Sequence, residues 1–168
     1  MMNLYYGEME SPVGTLTIVS DGERVVRIDY GTFADVEVKL QKWSARYFNQ
    51  PAFIEKPEKV AHAAAELGDY FQEKRRDFTF DVAFYGTPFQ QKVWQALNDI
   101  PYGDTKTYKD IAQAINNPKA VRAVGGAVNK NPFSIVVPCH RVIGANGKMV
   151  GYGGGLDKKE YLLTHEAQ

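Results

Sequence analysis

The hydrophobic pattern of the chain changes its period at Gly86-Thr87-Pro88, and the sign of the charge changes there too. Before this point, residues 78–84 alternate apolar and polar side chains, as a half-buried strand does. Residues 1–85 carry 14 acidic and 10 basic side chains, whereas residues 86–168 carry 6 acidic and 10 basic ones. A length of 168 residues allows one domain or two small ones. We predict two domains, residues 1–85 and residues 86–168.

The first predicted domain combines a sheet with helices. Short apolar runs in the first thirty residues are separated by the turn sequences SPVG and DGE, which predicts antiparallel strands. Apolar spacing predicts a helix over residues 35–47, with Val38, Leu40 and Trp43 facing inward. A second helix is predicted over residues 58–74, with an apolar face formed by Val60, Ala64, Leu67 and Phe71. The predicted class is α+β, with an N-terminal antiparallel β-sheet.

The second predicted domain is mainly helical and contains a candidate helix-turn-helix. An apolar stripe over residues 89–100 predicts its first helix. Thr107-x-x-Asp110 resembles a capping box that opens a second helix. Asn117-Pro118 then predicts a third helix, with asparagine as N-cap and proline at the first helical position. This third helix carries Lys119 and Arg122, so the pair of short helices predicts a helix-turn-helix.

The remaining part of this domain contains a turn-rich segment and a last helix. Residues 134–137 form a short apolar run, which predicts a buried strand or a core segment that ends at Pro138. Asn146-Gly147 predicts a tight turn. Asp157-x-x-Glu160 is predicted to cap a helix that runs to Glu166.

Basic side chains are concentrated in residues 105–148. Seven lysines and arginines occur there with Asp110 as the only acid, a net charge of +6. Such a concentration is typical of a surface that contacts phosphates, because neutralised phosphates release their counterions. An ordinary solvated basic face has the same composition. Charge alone therefore leaves both interpretations open.

Several classes of protein are excluded. Hydrophobic residues make up 44% of the chain and charged residues 24%, which is the composition of a folded globular protein. No apolar run approaches the roughly 20 residues of a membrane span. The first residues show no basic region followed by an apolar run, so no secretory signal is expected. No glycine-rich phosphate-binding loop is present. A single cysteine, Cys139, allows neither an internal disulfide nor a thiolate-rich metal site. We expect a cytoplasmic protein without a membrane partner.

Cys139 is the candidate nucleophile. A lone cysteine is more often a small buried hydrophobic residue, but His140 and Arg141 follow it and cations stabilise a thiolate. Adjacent side chains of a strand point to opposite faces, so Cys139 and His140 cooperate only if the chain turns there or a water bridges them. A carboxylate would orient the imidazole. Six in this domain are candidates that spacing cannot separate: Asp99, Asp104, Asp110, Asp157, Glu160 and Glu166.

The sequence Pro138-Cys-His-Arg-Val142 resembles the active-site signature of the O6-alkylguanine-DNA alkyltransferases, which take an alkyl group from damaged guanine. The resemblance covers residues 86–166, in the order of the family. Its other motifs are Gly86-Thr-Pro-Phe-Gln90, Val93-Trp94, Ile100-Pro-Tyr-Gly103, Thr107-Tyr108, Pro118-Lys-Ala-Val-Arg-Ala-Val-Gly125, Asn131-Pro132, Gly151-Tyr152, Gly154-Gly-Leu156 and Leu162-Leu163-x-x-Glu166.

The resemblance implies a direct-reversal repair reaction. Glu166 would orient His140, and His140 would remove the proton of Cys139 through a water. The thiolate would then take the alkyl group from O6-alkylguanine irreversibly, one base per molecule, without a cofactor. Some relatives hold zinc in the N-terminal domain, but here that domain has only His62 and no cysteine, so no metal is expected.

The resemblance also implies how double-stranded DNA carrying the lesion is held. The helix-turn-helix would enter the minor groove, Arg122 would fill the space of a flipped nucleotide, and Tyr108 would assist flipping and hydrogen-bond the guanine. Thr107, Lys119 and Arg141 would add DNA contacts. Asn131 would brace the turn before the cysteine segment. The substrate pocket would comprise Val142, Tyr152, Gly153 and Lys159, where Gly153 replaces a serine of some relatives.

Other interpretations stay open at this stage. Tyr108 also fits a core aromatic, and Asn131 fits a helix C-terminal residue in left-handed conformation. A non-catalytic sensor of alkylated DNA, a sequence-specific regulator and a cysteine hydrolase are the alternative functions. We expect a monomer in solution; cooperativity on DNA, the preferred adduct size and action on O4-alkylthymine stay open.

Overall fold

The computed structural model describes residues 2–147 and 155–168. The chain divides into two units, Met1–Tyr85 and Gly86–Gln168. In the described part of the chain, no helix is long and apolar enough to cross a membrane.

The first unit is built on a mixed four-stranded sheet. Strands β1 (Asn3–Met9), β2 (Leu16–Ser20) and β3 (Val25–Tyr30) pair in antiparallel fashion, which confirms the predicted meander. Strand β4 (Ala52–Glu55) was not predicted; it pairs parallel to β1, and the sheet order is β3-β2-β1-β4. β4 has four residues and none is fully buried, so it lacks the apolar pattern by which a strand is recognised.

Two helices accompany the sheet, and both differ from prediction in the face they bury. Helix α1 (Phe33–Tyr47) opens with a capping box between Thr32 and Asp35. Its inward residues are Val36, Leu40 and Ser44, whereas Val38 is 64% exposed, so the prediction for Val38 was wrong. Helix α2 spans Ala61–Phe71, because Pro57–Lys59 form a separate 3-10 helix before it. Its buried face is formed by Ala63, Glu66, Leu67 and Tyr70 instead of Ala64 and Phe71.

The predicted strand over residues 78–84 is absent from the first unit. Only an isolated parallel bridge joins Val82 to Val25. The segment is instead held by the buried Glu66 carboxylate, which accepts hydrogen bonds from the backbone N–H (2.7 Å) and the hydroxyl of Thr79. The predicted strand is therefore reduced to this single bridge, although its apolar residues alternate.

The described part of the second unit is mainly helical, with Trp94 buried in its core. Helix α3 (Pro88–Asn98) opens with a capping box between Thr87 and Gln90. The indole N–H of Trp94 donates to the carbonyl of Ala127, 2.9 Å away. A Cβ at Gly86 would lie 2.5 Å from the Trp94 ring, which explains glycine at this position. The other helices are α4 (Tyr108–Ala114), α5 (Val121–Asn129) and α6 (Leu156–Glu166).

The predicted helix-turn-helix is formed by α4 and α5, with a corrected boundary. The Thr107–Asp110 capping box of α4 is confirmed. Helix α5 begins later than predicted, with Ala120 as its N-cap, because Asn117 accepts a turn hydrogen bond from the Ala120 N–H (3.0 Å). Lys119 therefore precedes α5, and Val121 is 39% exposed.

The C-terminal elements show a second boundary correction. Asp157 lies in the first turn of α6 and is not its cap; Gly155, at φ 102°, occupies that position. Residues 134–137 form a turn and not a strand, with Ile135 buried in the left-handed region at φ 73°. The short strands β5 (Lys106–Thr107) and β6 (Val142–Ile143) pair in parallel.

The first unit contains a buried ion pair between Arg27 and Asp29. Arg27 donates to both oxygens of Asp29 at 2.9 and 2.8 Å, and Lys39 Nζ lies 3.2 Å from Asp29 Oδ1. Burial opposes ionisation of Asp29, but the hydrogen bond and charge of Arg27, together with Lys39, hold the pKa of Asp29 below 3.8. The ionised form is therefore favoured by folding.

We expect Asp29→Asn to lower the free energy of unfolding by about 3 kcal/mol at neutral pH, because it leaves a buried guanidinium without its counter-charge. The contribution of Asp29 is complete above about pH 4 and is lost as pH falls through its lowered pKa. Urea unfolding at several pH values measures both effects. Lys39→Ala is the control, since an exposed lysine contributes less than about 1 kcal/mol; equal losses for both variants would contradict the prediction.

Candidate active site

The backbone turns at Cys139, one of the two arrangements that would let it cooperate with His140. Cys139–Arg141 form a 3-10 helix that follows Pro138. The Cys139 N–H donates to the carbonyl of Val137 at 2.7 Å, and the Arg141 N–H donates to that of Pro138 at 3.0 Å. Consecutive side chains of this tight helix do not alternate as those of a strand do. The Cys139 side chain is nearly enclosed, with 7% of its residue surface exposed.

His140 forms a buried pair with Glu166 of α6. His140 Nε2 lies 2.8 Å from Glu166 Oε2, and both side chains are almost fully buried. A carboxylate can only accept, so Nε2 carries the proton and Nδ1 keeps its lone pair in the neutral ring. Nδ1 is buried and has no hydrogen-bond partner in the described part of the chain. Of the six candidate carboxylates, the fold brings Glu166 to the histidine.

Burial determines the protonation state of this histidine. Burial lowers the pKa of His140, and the charges of Arg141 and Lys159 lower it further. The hydrogen bond and charge of Glu166 act in the opposite direction without compensating for burial. The imidazole is therefore neutral at physiological pH and able to accept a proton.

Arg141 lies inside the unit, whereas the resemblance implies a DNA contact for it. Its Nε and Nη2 donate to the two oxygens of Glu166 at 2.7 and 2.9 Å, and its Nη1 donates to the carbonyl of Ile100 at 2.7 Å. The guanidinium also lies 5.6 Å from the ring centre of Tyr102. Only 7% of Arg141 is exposed, so it cannot reach a phosphate without breaking these bonds. A basic residue in a basic segment predicts exposure, and burial here depends on a partner 25 residues away.

Asn131 lies between α5 and the cysteine segment and hydrogen-bonds both ends of the turn. Its Nδ2 donates to the carbonyls of Phe133 (3.2 Å) and Val137 (2.8 Å), and its Oδ1 accepts from the Phe133 N–H (2.9 Å). Val137 in turn accepts from the Cys139 N–H. This network connects the end of α5 to the backbone of the cysteine.

Tyr108 and Lys159 lie within electrostatic range of Cys139. Burial raises the pKa of the half-buried Tyr108 phenol, and negative charge on Cys139 raises it further. Burial lowers the pKa of Lys159, while negative charge on Cys139 acts in the opposite direction. Lys159 Nζ donates to the carbonyl of Val142, 2.5 Å away. The remaining predicted pocket residues, Tyr152 and Gly153, lie outside the described residues.

The helix pair presents an exposed basic surface. Arg122 and Lys119 are exposed, whereas Thr107 is partly buried and caps α4 through its side chain. Further exposed lysines of the same segment are Lys106, Lys109 and Lys130. In the part of the chain that the structure describes, no group of three or more His, Cys, Asp or Glu side chains could hold a metal ion.

Comparison with known proteins matches both units to domain families. Residues 4–84 match the model of the 6-O-methylguanine DNA methyltransferase ribonuclease-like domain, and residues 88–168 match that of the 6-O-methylguanine DNA methyltransferase DNA binding domain. The methylated-DNA–protein-cysteine methyltransferase of Methanosarcina acetivorans is 44% identical over 97% of this chain and 98% of its own. That of Haemophilus influenzae is 41% identical over 99% of this chain and 88% of its own.

Solved structures give the same assignment. The O6-methylguanine methyltransferase of Mycobacterium tuberculosis has a TM-score of 0.83 and 37% identity, over 98% of this chain and 93% of that one. The structure of M. tuberculosis OGT in complex with DNA has a TM-score of 0.83 and 39% identity, over 97% of this chain and 92% of that one. The fold is therefore the α+β fold of these proteins. The chain belongs to the methylated-DNA–protein-cysteine methyltransferases, a family of DNA-repair enzymes.

Proposed function

We propose that the protein repairs double-stranded DNA by moving the alkyl group of O6-alkylguanine to the sulfur of Cys139, irreversibly and once per molecule. The observation that carries this proposal is the placement of a single enclosed cysteine next to the buried His140–Glu166 pair. A thiolate is the nucleophile and not the thiol, so the site must first remove a proton from Cys139.

In the proposed first step, His140 accepts that proton at Nδ1 through a bridging water. Glu166 fixes the tautomer because it accepts from Nε2. The neutral state of the imidazole, which follows from its lowered pKa, makes it available as a base. The positive charge formed on His140 is then balanced by the Glu166 carboxylate.

In the proposed second step, the thiolate attacks the alkyl carbon in line with the bond to O6. The carbon–sulfur bond forms as the carbon–oxygen bond breaks, and the bonding electrons leave with the guanine. Tyr108 donates a hydrogen bond to the departing base and stabilises its negative charge. The product is a thioether, which is a poor leaving group, so the thiol is not regenerated by simple hydrolysis.

DNA recognition is assigned to the helix pair. Helices α4 and α5 would enter the minor groove, where shape is read more than sequence. The exposed Arg122 near the start of α5 would occupy the space of the flipped guanine. Lys119 would contact the backbone, Asn131 would hold the cysteine turn relative to α5, and Val142 and Lys159 would form part of the base pocket.

The first prediction of this proposal concerns the product. After mixing with a duplex that contains one O6-methylguanine, intact mass and peptide mapping should show a single methyl group on Cys139, in stoichiometric amount. Cys139→Ala should gain no mass yet keep its affinity for the lesion. Lesion binding by wild type without a mass change would indicate a non-catalytic damage sensor. Neither binding nor a mass change would favour the hydrolase or regulator alternatives.

A second prediction concerns pH. The base must be neutral to act, and the pKa of His140 lies below 6.5, so the rate with free O6-benzylguanine should fall only below pH 6.5. Because the unfolded chain binds this proton more readily, folding stability also decreases as pH falls through 6.5. His140→Gln should be slow and lack this acid limb. A wild-type midpoint above 6.5 would contradict the assignment.

A third prediction separates DNA binding from chemistry. Arg122→Ala should slow repair in duplex DNA by about tenfold or more. It should also reduce the slope of log K against log salt concentration by about one, the loss of one phosphate contact. Its reaction with free O6-benzylguanine should be unchanged, because that substrate needs no flipping. Lys92→Ala, which removes an exposed charge from α3, is the control. Wild-type repair of duplex DNA by Arg122→Ala would exclude the intercalating role.

A further inference from the structure

The two arginines of the second unit lie in opposite environments. Arg122 is exposed, whereas Arg141 is buried and uses Nε, Nη1 and Nη2 as donors. Two of these donors form a fork on Glu166, and the third donates to the carbonyl of Ile100, just after α3. The mechanism above uses Glu166 but gives no part to the guanidinium that holds it.

The fork restricts the carboxylate on which His140 depends. Glu166 Oε1 accepts from Arg141 at 2.7 Å, and Oε2 accepts from Arg141 at 2.9 Å and from His140 at 2.8 Å. A carboxylate with both oxygens engaged by a planar guanidinium cannot rotate without breaking charge-assisted hydrogen bonds. Its orientation towards the imidazole is therefore set by Arg141.

Residues 101–103 pack against the C-terminal end of α6, where Glu166 lies. Gly103 adopts φ +86°, and a Cβ there would lie 3.3 Å from the backbone oxygen of Glu166. The Tyr102 ring lies 5.6 Å from the Arg141 guanidinium. The segment after α3 thus packs against both members of the ion pair, and Arg141 also donates to the carbonyl of Ile100 in that segment.

We propose that Arg141 is a positioning residue for the transfer reaction: its guanidinium holds the Glu166 carboxylate in register with His140 and shares its negative charge. The inference rests on the proposed function, because it assigns another residue to the same proton transfer. It replaces the DNA contact expected for Arg141 from sequence. Arg141 touches neither the substrate nor the reacting atoms in this role and acts through Glu166.

The charges that face His140 make the role testable by pH. Glu166 and Lys159 face it from α6, and Arg141 and Cys139 lie on its own 3-10 helix. Glu166 favours the protonated ring, whereas Arg141 and Lys159 oppose it. Removal of the Arg141 charge leaves burial and Lys159 to oppose protonation but takes away one opposing charge, so His140 should accept a proton at higher pH. A residue that only filled space would not move this titration.

The first measurement is the titration of His140 by NMR. The chain has three histidines, so the ring signals can be assigned with single substitutions of His62 and His165. Arg141→Gln should move the His140 titration to higher pH than in wild type. Arg141→Lys keeps the charge and should leave the titration near that of wild type. Lys92→Gln, which removes an exposed charge from the same unit, should leave it unchanged.

The second measurement is the rate of Cys139 alkylation by free O6-benzylguanine, followed by intact mass. At neutral pH, Arg141→Gln should react about tenfold or more slowly, since a hydrogen bond to a charged group contributes about one to two powers of ten. Its acid limb should move to higher pH with the NMR titration. Arg141→Lys should also react more slowly, because one ammonium cannot hold both oxygens, but with the wild-type acid limb.

Three outcomes would overturn the inference. Unchanged titration and unchanged rate in Arg141→Gln would show that Glu166 needs no partner. Wild-type reactivity with the free base, combined with weaker and less salt-dependent binding to duplex DNA, would return Arg141 to the DNA contacts. If Arg141→Gln does not fold, wild-type rates in Arg141→Lys would exclude a role for the fork. Absence of any reaction in wild type would refute the proposed function instead. The NMR titration would still test whether Arg141 acts on His140 through Glu166.

Discussion

The site depends on the hydrogen bonds that the Glu166 carboxylate accepts from His140 and Arg141. Glu166 ends α6, accepts from His140, and is held by both donors of the Arg141 fork. Through Arg141 it is also connected to the end of α3. A buried carboxylate is unfavourable unless it is paired and hydrogen-bonded. Glu166 accepts hydrogen bonds from both His140 and Arg141. The fold must therefore position three segments together: the last helix, the cysteine turn and the segment after α3.

Exposed and buried charges serve different purposes in the second unit. Lys119 and Arg122 are exposed near the start of α5, where a basic surface attracts a polyanion. Arg141 and Lys159 are buried and satisfied by a carboxylate and a backbone carbonyl. Sequence composition counts these charges together, although only the exposed ones contribute to an electrostatic surface. The net charge of +6 over residues 105–148 therefore overstates the charge available to DNA.

Local signals predicted the parts of the fold that local chemistry determines. The meander of β1–β3 and the Thr107–Asp110 capping box follow from alternation, turn residues and cap hydrogen bonds. The absent strand over residues 78–84 involves instead a contact between residues distant in sequence, that of Thr79 with Glu66. At the site, the sequence left open whether the chain turns at Cys139 or a water bridges it to His140. Spacing also could not select Glu166, which lies 26 residues beyond His140. The family resemblance named Glu166, yet it placed Arg141 on DNA, because sequence does not show which way a side chain points.

The enclosure of Cys139 has a consequence for the lifetime of the protein. With 7% of its residue surface exposed, the sulfur is largely screened from dissolved oxidants and small electrophiles, which react with accessible thiolates. In the proposed reaction each molecule acts once, so any chance modification of the thiol permanently removes one repair event. Under the proposed function, burial of the nucleophile would preserve the stock of active molecules between lesions, and the alkylated base would have to enter the protein to reach the sulfur.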